Sequence, residues 1–86
     1  MNNQRHHREV HHWEVLSRPD CSLCDTLLLE LTELLGEQGV AVQVRDITGD
    51  GDLERKYGNR IPVLLIDGEV VCAYRLDRAR VQAYLR

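Results

Sequence analysis

Long apolar runs are missing from these 86 residues, and no stretch could span a bilayer. The first residues carry no apolar h-region, so neither a membrane association nor secretion is expected. An excess of positive charge is missing too. The formal net charge is −3, which gives no electrostatic case for nucleic acid or an anionic lipid surface. Cysteine is scarce and odd in number: three residues, which fits poorly with a secreted disulfide scaffold. The cytoplasm is the expected compartment, where a close cysteine pair is catalytic or metal-binding rather than structural. No internal repeat is visible, and the length allows one small domain with a modest core.

What is present centres on Arg18-Pro19-Asp20-Cys21-Ser22-Leu23-Cys24. Two cysteines two residues apart follow a short apolar segment and open a leucine-rich helical pattern. A thiol in the first turn of a helix meets unpaired backbone N–H groups and the positive end of the helix dipole. Both favour thiolate, the reactive form. The second cysteine lies about one turn further on, close enough to bridge the first.

Met1 to about Val10 reads as a flexible polar tail, with the domain over residues 11–86. The tail contains His6 and His7, followed by His11 and His12. Such a tract could bind a metal, but a solvated tail is the plainer expectation. His12 to Leu16 is the first strand candidate, with Trp13 and Val15 on one face and Leu16 on the other. Pro19 then breaks it. Leu23, Leu27, Leu28, Leu31, Leu34 and Leu35 follow helical spacing over about Ser22 to Glu37, with Gly36 and Gly39 ending the helix.

Val40 to Arg45 alternates as a strand at a sheet edge would. Asp46 to Asp52 is a Gly/Asp loop. Its acids invite a calcium reading, but Tyr57 stands where an EF-hand needs Glu, so turn chemistry and a helix cap explain it better. A short helix follows from about Asp52 to Tyr57, with Gly58 expected at C′. Val63-Leu64-Leu65-Ile66 is continuously apolar, as in a central strand covered on both faces. Asp67-Gly68 predicts a tight hairpin into Val70 to Arg75. A last helix over Asp77 to Leu85 has Asp77 as its cap. The order βαβαββα predicts an α/β fold: a four-stranded mixed sheet with helices on both faces.

Taken together, Cys21-Ser22-Leu23-Cys24 after the first strand, Ile61-Pro62 before the third, and the Asp67-Gly68 hairpin resemble the thioredoxin superfamily. Within it they resemble the glutaredoxins, in particular short bacterial glutaredoxin-like proteins of unassigned substrate. The resemblance covers His12 to Arg86. It implies a thiol–disulfide oxidoreductase in which Cys21 attacks a substrate disulfide and Cys24 resolves the mixed disulfide. It implies that Pro62 is the family's cis-proline and that the Ile61 backbone pairs with a substrate segment. Arg18 matches the position of a basic residue that holds a glutathione carboxylate; the alternative is a solvated surface arginine.

The family's Gly-Gly pair, however, aligns with Cys72-Ala73, whose side chains limit close approach. That disfavours glutathione as reductant and favours a protein disulfide as substrate, with the reductant unidentified. Cys72 is either a small buried hydrophobe or a third redox thiol. No bound cofactor or metal is needed, and a monomer is expected. The alternative classes are a zinc site built from Cys21, Cys24 and a tail histidine, or an interaction module that keeps the fold without the activity.

Overall fold

A computed structural model describes residues 10–85. Its elements are β1 (Trp13–Ser17), α1 (Ser22–Leu35), β2 (Val42–Asp46), α2 (Gly51–Tyr57), β3 (Val63–Ile66), β4 (Glu69–Ala73) and α3 (Arg78–Gln82). The sheet order is β2-β1-β3-β4. β1 and β2 are parallel, joined by the α1 crossover, and the other two pairings are antiparallel. The expected α/β architecture is therefore present. The polar tail, with His6 and His7, lies outside the described residues except for Val10.

β1 and β3 are the central strands, and every residue in both is buried. One face of the sheet gathers Trp13, Val15, Leu64 and Ile66 with Leu27, Leu31 and Leu35 of α1 and Val81 of α3. The other gathers Leu16, Val63 and Leu65 with Ile47, Tyr57 of α2 and the half-buried Leu53. Helices thus cover both faces, and the alternation of side chains along β1 and β3 decides which helix each residue meets. Glu14 is buried in β1, with its Oε2 2.6 Å from Arg45 Nε of the edge strand β2. The contact is ionic without hydrogen-bond alignment.

Four details depart from the periodicity. Leu23 was expected in the core stripe of α1 but is 45% exposed, because the buried stripe runs Cys24, Leu27, Leu31, Leu35. Its place at the start of the helix overhangs the end of the sheet. α1 stops at Leu35, two residues short of the expected end, where Gly36 takes φ 55° and returns its N–H to Thr32 O at 3.0 Å. The Gly/Asp loop hides a core residue: Ile47 is fully buried beneath α2, between an Asp46 that turns the chain and an Asp50 that caps the helix. Gly58 ends α2 in right-handed geometry, φ −55°, rather than the left-handed one that C′ glycines adopt.

The Asp67-Gly68 turn has φ 54° and 83°, the two positive values a two-residue hairpin needs. Asp67 does more than turn. Its carboxylate accepts the His12 N–H at 2.8 Å and lies 2.7 Å from His11 Nδ1, tying the entry of β1 to the hairpin. β4 carries an irregularity opposite Leu64 and Leu65. There one extra residue lets both Val71 and Cys72 turn to the α1 face.

Candidate active site

The antiparallel pairing of β1 with β3 sets Leu16 opposite Val63. The residues that follow Leu16 and those that precede Val63 therefore lie at one end of the sheet. The Cys21–Cys24 turn and Ile61-Pro62, forty residues apart in sequence, are brought to that same end. β4 finishes there too, since Ala73 pairs with Val63. Local sequence delivers the pieces, and sheet topology assembles them.

Cys21 is the N-cap of α1, in extended geometry, and its sulfur accepts the Cys24 N–H at 3.1 Å. This is one of the N–H groups the helix cannot pair internally, and it would serve a thiolate better than a thiol. Cys21 and Cys24 are joined in a disulfide with their Cα atoms 5.2 Å apart. Cys21 is half-buried, whereas Cys24 is 2% exposed on the inner face of α1. An incoming group can reach one sulfur and not the other.

Asp20 precedes the pair with φ 56°, and Asp25 lies in the first helical turn. Both place negative charge near the sulfurs. Arg18 does not offset them freely, because its guanidinium is ion-paired with Glu54 of α2. That partner was not legible in the sequence, since Glu54 comes 36 residues later on a helix of the opposite face. Asp46, at the end of β2, has its carboxyl held below the usual range. The Thr48 N–H and hydroxyl bonds are the main causes, and Arg18 adds attraction.

The Ile61–Pro62 peptide is cis, and Pro62 is buried. Pro62 O accepts the Tyr74 N–H at 2.8 Å. The N–H and C=O of Ile61 enter none of the backbone hydrogen bonds outside the helices and strands of the described residues. Cys72 sits on β4 opposite Leu64, buried in the cluster beneath α1 and α3. Burial pushes its thiol up, against a partly compensating bond from the Asp77 N–H. Asp77 itself caps α3 through Arg80 N at 3.2 Å. His11 and His12 contact Asp67 at the far end of β1 from Cys21. Among the described residues no group of three or more His, Cys, Asp or Glu side chains is placed to hold a metal. Nor is any helix there long and apolar enough to cross a membrane.

A four-stranded mixed sheet between helices, with a cysteine pair capping the first helix, defines a thioredoxin-like fold carrying a dithiol turn. The sequence matches the family described as a glutaredoxin-like domain (DUF836) over residues 13–86, and the chain belongs to that family. Among solved structures it resembles protein Ne2328 from Nitrosomonas europaea, with 32% identity, 98% of each chain covered and a TM-score of 0.81. It also resembles protein XcR50 from X. campestris, with 31% identity over 85% of this chain and 93% of that one and a TM-score of 0.66. Among curated proteins, the uncharacterized protein Rv0508 of Mycobacterium tuberculosis is 32% identical over 75 residues, 81% of this chain and 77% of the relative.

Proposed function

We propose that this chain is a thiol–disulfide oxidoreductase acting on a protein disulfide in the cytoplasm. The observation that carries the reading is the asymmetry of the pair: a reachable Cys21 sulfur at the helix N-cap, bridged to a buried Cys24. In the reducing direction, the Cys21 thiolate attacks one sulfur of the substrate disulfide. That S–S bond breaks, and the departing thiolate takes a proton from water. Cys24, losing its proton, then attacks the Cys21 sulfur and releases the second substrate thiol. The substrate gains two electrons, and the protein is left with the Cys21–Cys24 disulfide. A thiol or dithiol reductant must supply the next two.

The helix N-terminus is the main support for the Cys21 thiolate, since Arg18 is engaged with Glu54 and the nearby acids oppose it. Ile61, whose backbone groups enter none of the backbone hydrogen bonds outside helices and strands among the described residues, suits the addition of an extended substrate segment beside Pro62. No bound cofactor is required, because the cysteines carry the electrons. The half-buried Ala73 argues against close approach of glutathione to the end of β4, while the Cys72 side chain is turned into the core.

Equilibration in glutathione redox buffers, read by thiol trapping and peptide mass mapping, tests the reading. Cys21 and Cys24 should oxidise together and reversibly, at a potential of about −200 to −270 mV. A Cys21 that stays glutathionylated while Cys24 remains free points to a monothiol mechanism. Thiols that do not respond across the range refute the proposal.

A further inference from the structure

The corner where α1 meets the β4–α3 connection carries features that the dithiol exchange does not use. A cleft of about 290 Å³ opens there, with Leu23, Glu30, Tyr74, Arg75 and Arg78 among its lining residues. Leu23 is the neighbour of Cys24 in sequence, so the cleft lies beside the dithiol turn.

Two of its walls are large, apolar and half exposed: Leu23, and Tyr74 at 48%. One such side chain on a surface needs no explanation, but two lining one cleft beside a reactive pair do. Tyr74 is also held in place. Its backbone has φ 70°, a region that bulky residues rarely adopt and that costs free energy. Its N–H donates to Pro62 O, and its hydroxyl donates to Asn59 O at 2.6 Å. The fold thus fixes an aromatic ring between the cleft and the Ile61-Pro62 segment while burying only half of it.

Charge is distributed unevenly around the same cleft. The chain is net negative, yet Arg75 and Arg78 both line this cleft, and Arg80 lines the adjoining one on the other side of them. None of the three is ion-paired among the described residues. Asp77 between them is occupied as the α3 cap, and Glu30 is the acid on the cleft wall.

The geometry points to this cleft as the docking site of the dithiol pair's client, a protein segment with an apolar residue flanked by acidic ones near its disulfide. The assignment rests on the oxidoreductase reading above. The apolar residue fits between Leu23 and Tyr74, and the acids meet Arg75 and Arg78. The exchange itself is the two-electron step already written; docking changes how often the correct disulfide meets Cys21.

The test uses synthetic peptides, each with one internal disulfide and one leucine, differing only in whether the flanking residues are aspartates or lysines. Oxidised glutathione, a disulfide with carboxylates but no apolar anchor, is the fourth arm beside a leucine-to-glycine acidic peptide. Second-order rates of reduction by the dithiothreitol-reduced, desalted protein are each divided by the rate with dithiothreitol alone. Exposed ion pairs are individually weak, so the acidic peptide should exceed the basic one by roughly fivefold at low salt. In 1 M salt, where screening acts within about 3 Å, the ratio should approach one. A net-negative protein would otherwise show the opposite preference.

The variant R75Q/R78Q should bring the ratio toward one, a comparison within one protein that partial loss of folding does not move. R55Q/K56Q, which removes two cations from α2, should preserve it. Equal rates for both peptides, a ratio that survives R75Q/R78Q, or glutathione or the glycine peptide reduced as fast as the acidic leucine peptide would each overturn the docking proposal alone. Failure to reduce any of the disulfides overturns the oxidoreductase reading and the docking proposal with it.

Discussion

Gly58 offers a test in which two physical accounts predict different outcomes. The sequence places it after a short helix, where a glycine is ordinarily kept for its left-handed backbone. Its φ is −55°, which alanine adopts without strain. On conformation alone, Gly58→Ala should stabilise the protein by about 0.4–1 kcal/mol, through the unfolded chain. Space decides otherwise. A Cβ at Gly58 would overlap the Glu54 carbonyl oxygen and would stand 3.0 Å from Arg18 Nη2 and 3.1 Å from Glu54 Oε1. The carbonyl is helix backbone and already accepts the Gly58 N–H at 2.9 Å, so it cannot move aside cheaply.

Overpacking of this kind costs about 1–3 kcal/mol. Less the gain from the unfolded state, the net loss is roughly 1–2 kcal/mol. For a domain of this size that lowers Tm by about 4–16 °C. Thermal and urea unfolding followed by circular dichroism, with the cysteine pair fully oxidised in every sample, would measure it. Gly58→Asn separates the accounts, because asparagine tolerates a left-handed backbone but carries the same Cβ. Overlap predicts that both variants lose stability alike. An unchanged or raised Tm for Gly58→Ala, or a mild Asn variant beside a damaging Ala variant, refutes the reasoning.

Leu31→Ala should cost about 2–5 kcal/mol, because the side chain is fully buried beneath the sheet, whereas Leu23→Ala should fall within about 0.5 kcal/mol; urea midpoints at constant m-value check both. Iodoacetamide added to the native, reduced protein at neutral pH should label Cys21 well before Cys24 and Cys72, since Cys24 is 2% exposed and burial pushes the Cys72 thiol up; mass mapping of a time course that shows Cys72 leading would contradict this. Asp67 has its carboxyl held below the usual range by the His12 N–H first and the His11 ring second. A depressed carboxyl contributes stability above its unfolded value and loses it as pH falls through the folded one. The advantage of the native protein over Asp67→Asn, which suits the same turn, should therefore be full at neutral pH and vanish only at pH values below the ordinary carboxylate range. A difference independent of pH in acid unfolding curves would show that the charge plays no part.

Much of the fold is legible because its signals are local. The cysteine turn, the Asp67-Gly68 hairpin, the apolar run of β3 and the leucines of α1 each declare an element without reference to the rest. What was not legible depends on partners distant in sequence. Nothing near Arg18 announces Glu54, and nothing near Asp67 announces His11 and His12. Ile47 hides among turn-forming residues, because one buried side chain in a polar loop has no period to betray it. Leu23 fits the helical stripe by spacing, yet the sheet ends before it, and only the tertiary position of α1 exposes it. Cys72 reaches the α1 face through an irregularity in β4 that the pattern of apolar residues does not encode. At the site, the cysteines were readable as chemistry, while the engagement of Arg18 and the fixed ring of Tyr74 were not.

The sheet also separates stability from chemistry by its two ends, and that separation can be measured. Asp67, His11 and His12 close the end where β1 begins. The Cys21–Cys24 turn, Arg18 with Glu54, and Ile61-Pro62 occupy the other, because Leu16 pairs with Val63. Asp67→Asn and Gly58→Ala both weaken the fold, but the first acts across the length of β1 from the sulfurs. The second presses on the ion pair that anchors the residue three places before Cys21. At temperatures chosen so that both variants are equally folded, Asp67→Asn should reduce a neutral disulfide at the native rate. Gly58→Ala should react at a different rate, with its pH–rate profile displaced, because moving Arg18 changes the field at Cys21. Identical profiles for the two variants would mean that the Arg18–Glu54 pair holds the fold together without tuning the thiol.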